Sequence, residues 1–217
     1  MIPEITREQL DRLSLERGRP LLVLDADEVL VYFLRHFRVF LDARGWELDL
    51  TTYRLDAALK HRGEGRTATR EEGLAFIDRF FAEETPQQEA IPGAAEAVAR
   101  MAERAQVVVL TNLPHHARAA RVGNLARHGL AYPVVSNSGG KGPVLAALAE
   151  RTVAPVVFVD DSKAQIDSAA KHAASVRRLQ LIGCDYAAPA LPRSEQAERT
   201  ALNWDEAAPW IRAALDG

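Results

Sequence analysis

A single cysteine, Cys184, stands among the 217 residues. An internal disulfide is therefore excluded, and the composition suits a reducing compartment. A strong excess of one charge is also lacking. Lys and Arg number 27 against 30 Asp and Glu, a net charge of -3, which gives no support to general nucleic-acid binding. The opening MIPEITREQLDRLSLERGRP holds no apolar stretch resembling a signal peptide. No later run approaches membrane-spanning length, and there is neither an internal repeat nor a low-complexity tract. The expectation is a cytoplasmic protein with no membrane or nucleic-acid partner. The remainder, 47% hydrophobic and 26% charged, is that of a globular chain long enough for one domain with an insertion or for two small ones.

What is present is a series of short greasy runs. Leu21 to Leu24 follows Pro20, shows no polar alternation and ends in acid. It reads as a strand buried on both faces, as in a parallel sheet. Similar runs cover 106–112 (QVVVLTN), 132–138 (YPVVSNS) and 154–161 (APVVFVDD), with a weaker one at 176–183 (VRRLQLIG). Helical patterns lie between them, after Pro92-Gly93, around Ala117 to Leu125, and in GPVLAALAERT and SKAQIDSAAKHAA. Strands alternating with helices predict a parallel sheet covered on both faces. Thr6 to Gln9 has the form of a capping box, which predicts a short helix through Leu10 and Leu13. Trp204 and Trp210 are expected to anchor a C-terminal helix capped by Asn203 and Glu206.

The interval between the first two strands is too long for one crossover helix. Phe33, Leu34, Phe37, Phe40 and Leu41 fall at helical spacing, with Gly45 as a stop. Thr69 and Glu72 form another capping box ahead of Leu74, Ile77, Phe80 and Phe81. Residues 31–90 are therefore expected to form a small helical insertion, with 1–30 and 91–217 as the α/β core.

Polar clusters fall at the predicted strand ends, where the loops of an open parallel sheet converge on one crevice. Asp25 and Asp27, one residue apart, suit a nucleophile and a proton carrier; the alternative is an acidic loop start or a helix N-cap. Thr111 and Asn112 suit a phosphoryl oxygen, or else a turn. Lys141, among the glycines of SNSGGKGP, can project into the crevice and offset negative charge, or lie solvated on a loop. Asp160 and Asp161 end a buried strand, where adjacent acids call for a hard divalent cation such as Mg²⁺. The alternative is an N-cap at Asp161 or Ser162.

Taken together and in this order, the clusters resemble the four motifs of the haloacid dehalogenase superfamily. LDADEVL is similar to the first, VVLTN to the second, Lys141 to the third and VFVDDS to the fourth. The resemblance spans most of residues 20–182. It implies a Rossmann-like, three-layer α/β core with a small α-helical cap at 31–90, and a Mg²⁺-dependent phosphatase acting on a small phosphorylated metabolite. Asp25 would attack phosphorus, and Asp27 would protonate the leaving alcohol and then activate water. Thr111, Lys141 and the Asn112 backbone N–H would hold the phosphoryl group. Mg²⁺ would be bound by Asp25, the Asp27 carbonyl and Asp161, with Asp160 in support. Asp27 and Thr111 favour phosphoryl chemistry over dehalogenation.

Two positions depart from the family pattern. Glu28 stands where glycine is common, and Gln165 where a second acid or an asparagine is common. They motivate the rival reading of a ligand- or protein-binding domain without turnover; a phosphomutase on the same core is the other rival. In the insertion, Lys60, His61, Arg62 and Arg66 are candidate contacts for an anionic substrate, or simply a solvated basic loop. His115 and His116 are read as surface residues at a helix start, with substrate contact as the alternative.

Overall fold

A computed structural model describes residues 1–49, 58–183 and 191–217. Cys184 and part of the 31–90 insertion lie outside the described residues.

The four-residue run Leu21–Leu24 forms strand β1 at the centre of a six-stranded parallel sheet. On one side it pairs with β4 (Gln106–Thr111) and then β5 (Val134–Ser136). On the other lie β6 (Val156–Asp160), β7 (Arg177–Leu181) and β8 (Arg199–Ala201). Leu24 stands opposite both Val109 and Val159, so Asp25 leaves β1 beside the last residues of β4 and β6. That alignment brings Asp25, Thr111 and Asp160 to the same rim.

The strands are apolar on both faces because both faces are covered. Leu22, Leu24, Val107, Val109, Val157 and Val159 pack on one side against α4 (Ala94–Ala102) and α8 (Trp204–Asp216). Leu21, Val23, Val108, Leu110, Val156 and Phe158 face the other side, toward α1 (Glu4–Asp11), α6 (Gly142–Thr152) and α7 (Lys163–His172). At α8 the Asn203 side chain accepts a hydrogen bond from the Glu206 N–H at 2.9 Å. Buried Trp204 donates its indole N–H to the Val29 carbonyl at 2.9 Å, which ties the helix to the turn after β1. Trp210 is half-buried against the same core.

The expected N-terminal helix forms, but Thr6 and Gln9 do not cap it. The helix starts at Glu4 after Pro3 and ends at Asp11, short of Leu13. Both side chains are drawn instead to the outer edge of β5. Thr6 Oγ1 donates to the Ser136 carbonyl at 2.9 Å, and Gln9 Oε1 accepts from the Ser136 N–H at 2.8 Å. An exposed strand edge competes for such groups more strongly than a helix end that water can satisfy.

Between β1 and α4 the chain builds α2 (Leu34–Asp42), an antiparallel pair β2 (Trp46–Leu48) and β3 (Leu59–His61), and α3 (Arg70–Glu84). The capping box at the start of α3 is present in both directions between Thr69 and Glu72. Phe33, Phe37, Phe40, Phe80 and Phe81 form an aromatic cluster, with Phe80 edge-on to Phe37 at 5.2 Å and to Phe33 at 5.0 Å. This cluster is separate from the two sheet layers and reaches Leu113 and Ala117 in the segment after β4. The described part of residues 31–90 thus holds two α-helices and a short β-ribbon.

Candidate active site

Lys141 is the pivot of the site. It precedes the first turn of α6, its side chain is almost wholly buried, and Nζ lies 2.7 Å from Asp25 Oδ1 and 2.6 Å from Asp160 Oδ2. Local sequence places it there. A Cβ on Gly142 would come within 2.0 Å of the Ser168 carbonyl, and one on Gly140 within 2.5 Å of Ser168 Oγ. Glycine on both sides of the lysine therefore lets α6 start hard against α7. Gln165, on α7, completes the placement. Its Oε1 accepts from the Lys141 N–H at 2.8 Å, and its Nε2 donates to the Gly139 carbonyl at 3.3 Å. The residue noted as a family departure thus serves the lysine loop.

Asp25, Asp160 and Asp161 each offer a carboxylate oxygen, and these oxygens lie within 4.8 Å of one another. Burial pushes the Asp160 carboxyl up to about 7; Lys141 pulls against this, and Asp25 adds to it. Asp161 is raised well above its ordinary value by burial and then by Asp160, Asp25 and Glu28. Burial also opposes the charged form of Lys141, but the Asp160 and Asp25 carboxylates outweigh it and raise its pKa. Acids that resist joint ionisation lack positive charge. A hard, all-oxygen donor set with that deficit fits a divalent cation of the Mg²⁺ type.

Thr111 and Asn112 divide in role. The Thr111 hydroxyl is buried and has no hydrogen-bond partner among the described residues, so it is available to a ligand oxygen. The Asn112 amide donates to the Gly139 carbonyl at 2.8 Å and accepts from Asn137 Nδ2 at 2.9 Å. Its side chain secures the lysine loop.

Asp27 faces a different set of partners. Arg121 Nη2 reaches Asp27 Oδ1 at 2.6 Å, and Gln88 Nε2 donates to the same oxygen at 3.2 Å. Burial raises the Asp27 pKa; Arg121 opposes the rise, Asp25 adds to it and Gln88 opposes it. Arg121 lies on α5 (Arg118–Arg127), which buries Arg121, Asn124 and Leu125. Neither Arg121 nor Gln88 was singled out from sequence. The available signal was an arginine and an asparagine on the apolar side of a helical pattern.

Glu28 adopts a left-handed backbone conformation, φ 59°, which explains why glycine suits this position. Its Oε1 accepts from the N–H groups of Phe33 and Leu34 at 2.9 and 2.6 Å. That oxygen is therefore committed to the first turn of α2.

The basic run of the insertion is ion-paired. Lys60 meets Asp49, Arg62 meets Asp42, and Arg66 meets both Glu64 and Glu72. His61 Nδ1 accepts from the Glu64 N–H at 3.2 Å. The three cations thus pair within the insertion and remain partly exposed. His115 departs from the surface expectation: it is half-buried and its Nδ1 lies 2.7 Å from Ser136 Oγ. His116 is exposed, 3.7 Å from Asp78.

No family model matches the sequence, and no curated protein matches it. Solved structures do. A HAD family hydrolase from Deinococcus radiodurans with bound phosphate and sodium superposes with a TM-score of 0.58 at 17% identity, covering 92% of this chain and 97% of that one. YfnB from Bacillus subtilis, bound to magnesium, gives 0.61 at 13% identity, with 90% and 99% covered. L-2-haloacid dehalogenase from Xanthobacter autotrophicus, with chloropropionic acid covalently bound, gives 0.57 at 17% identity, with 88% and 98% covered. The chain has the haloacid dehalogenase-like fold. Because that fold carries different reactions in these neighbours, the chemistry must be argued from the side chains.

Proposed function

We propose that the protein is a Mg²⁺-dependent phosphatase that hydrolyses a small phosphorylated metabolite through an aspartyl-phosphate. The observation that carries this reading is the buried contact of Lys141 with both Asp25 and Asp160, beside a third carboxylate and at the rim that holds the unpartnered Thr111 hydroxyl. An anionic nucleophile approaching an anionic phosphate needs countercharge already in place.

In the proposed reaction an Asp25 oxygen bonds to phosphorus while the phosphorus–ester bond breaks. Asp27 gives its proton to the departing alkoxide. Water then attacks phosphorus, Asp27 takes its proton, and the Asp25 carboxylate is released with inorganic phosphate. Thr111, Lys141 and the Asn112 N–H steady the phosphoryl oxygens. Asp25, Asp161 and the Asp27 carbonyl, with Asp160 in support, would hold Mg²⁺, which supplies charge neutralisation and orientation of the phosphoryl group. The neighbours with bound phosphate and bound magnesium support the substrate class and the cation.

The retention of Asp27 argues for phosphoryl transfer over dehalogenation, since a carboxylate attacking carbon with halide leaving needs no acid for the leaving group. Residues 31–90 act as a cap that excludes water and meets the leaving group. The proposed setting is cytoplasmic. No helix among the described residues is long and apolar enough to cross a membrane.

A panel of phosphate monoesters tests the proposal. Orthophosphate release is expected with Mg²⁺ and is abolished by EDTA and by Asp25→Asn. A folded, Mg²⁺-loaded protein inert across a broad panel would sink it.

A further inference from the structure

We propose that Arg121 and Gln88 are positioning residues for Asp27, forming a clamp that pins one carboxylate oxygen so that the other meets the leaving group. The inference rests on the phosphoryl-transfer reading above. Two N–H donors converge on Asp27 Oδ1, Arg121 Nη2 at 2.6 Å and Gln88 Nε2 at 3.2 Å. An oxygen accepting from two donors, one of them cationic, is a poor place for a proton. Oδ2 is therefore the oxygen that gives and takes it.

The clamp is itself braced. Arg121 Nη2 also donates to Gln88 Oε1 at 2.9 Å, and Arg121 Nη1 to Asn124 Oδ1 at 3.2 Å. Asn124 Nδ2 donates to the Gln88 carbonyl at 2.8 Å, and Gln88 Nε2 to the Tyr32 carbonyl at 2.9 Å. A fully buried guanidinium is costly without such partners, and its anionic partner among the described residues is Asp27. Tyr32 belongs to the segment entering the insertion and Gln88 to the segment returning from it. The two segments are joined by the Tyr32 N–H donating to the Glu89 carbonyl at 2.9 Å. The orientation of Asp27 is thus tied to both connections of the insertion.

The leaving group discriminates a clamp from a merely architectural arginine. An alkoxide must receive the Oδ2 proton as its bond to phosphorus breaks, whereas 4-nitrophenolate departs without one. The quantity to compare is kcat/KM, because it reports the step that forms the aspartyl-phosphate and excludes its later hydrolysis. With Mg²⁺ present, glycerol 2-phosphate and 4-nitrophenyl phosphate are assayed with the unaltered protein, Arg121→Met, Arg121→Lys and Gln88→Met. The loss in Arg121→Met and Gln88→Met is expected to be about 10²-fold greater on the alkyl ester, with part of it recovered in Arg121→Lys. If Arg121→Met does not fold, Gln88→Met carries the same comparison. Equal losses on the two esters overturn the clamp and leave the phosphatase reading standing. Should the unaltered protein prefer other members of the monoester panel, the alkyl and aryl esters are drawn from those; inertness across the whole panel overturns that reading, and the clamp falls with it.

Discussion

Lys141 shows how one side chain can decide both stability and chemistry. It is the cation found between Asp25 and Asp160. Lys141→Met leaves two carboxylates buried without it, at a cost of about 3–5 kcal/mol, and should abolish phosphate release. Denaturant unfolding in EDTA reads the first effect, and an orthophosphate assay the second. The same crowding fixes a pH dependence. The folded state holds a proton on Asp160 up to about 7, and Asp161 shifts in the same direction. The unfolded chain has already released both in the ordinary carboxylate range. Stability contributed by these groups therefore falls as pH rises from the ordinary carboxylate range through about 7, where Asp160 ionises. Glu72, lowered to about 2 by the Arg66 side chain, acts below that window. Melting temperatures in EDTA should decline across the window, and Mg²⁺, by favouring the ionised carboxylates, should flatten or reverse the trend. A Tm that rises with pH in EDTA would contradict this account.

Among the elements, the junction between β1 and α2 carries a conflict. Glu28 bears the cost of a left-handed backbone, about 1–2 kcal/mol, while its carboxylate secures the N–H groups of Phe33 and Leu34. Glu28→Gly relieves the first and removes the second. The expected result is little change in global stability but faster hydrogen exchange at the Phe33 and Leu34 amides. Unchanged exchange there would mean that the glutamate does not hold the helix start. The family resemblance marked Glu28 as unusual, but its target lies on backbone groups five and six residues onward, in a turn that no periodicity describes. The α3 cap at Thr69 was legible because it depends on local spacing alone. Thr6 and Gln9 carried an equally clear local signal and were recruited by a strand more than 120 residues away.

For the whole molecule, the sheet was legible because β1, β4, β5 and β6 lie in apolar runs, with β7 in a weaker one, and their order with the helices leaves few topologies open. Strands β2, β3 and β8, reading WEL, LKH and RTA, are three residues long and have no apolar pattern. Only their partners reveal them. The cluster of Asp25, Lys141, Asp160 and Asp161 could be anticipated from strand ends. Arg121 and Gln88 could not, because a polar side chain on an apolar helical face looks like noise until its buried partner is known. The pairing of α1 with the β5 edge has a practical corollary. The N-terminal helix seals the rim of the sheet that another copy would otherwise join. A shortened chain beginning after Asp11 should self-associate as concentration rises, and light scattering would detect it. The opening residues would then act as a built-in guard of that edge, remote from the proposed chemistry.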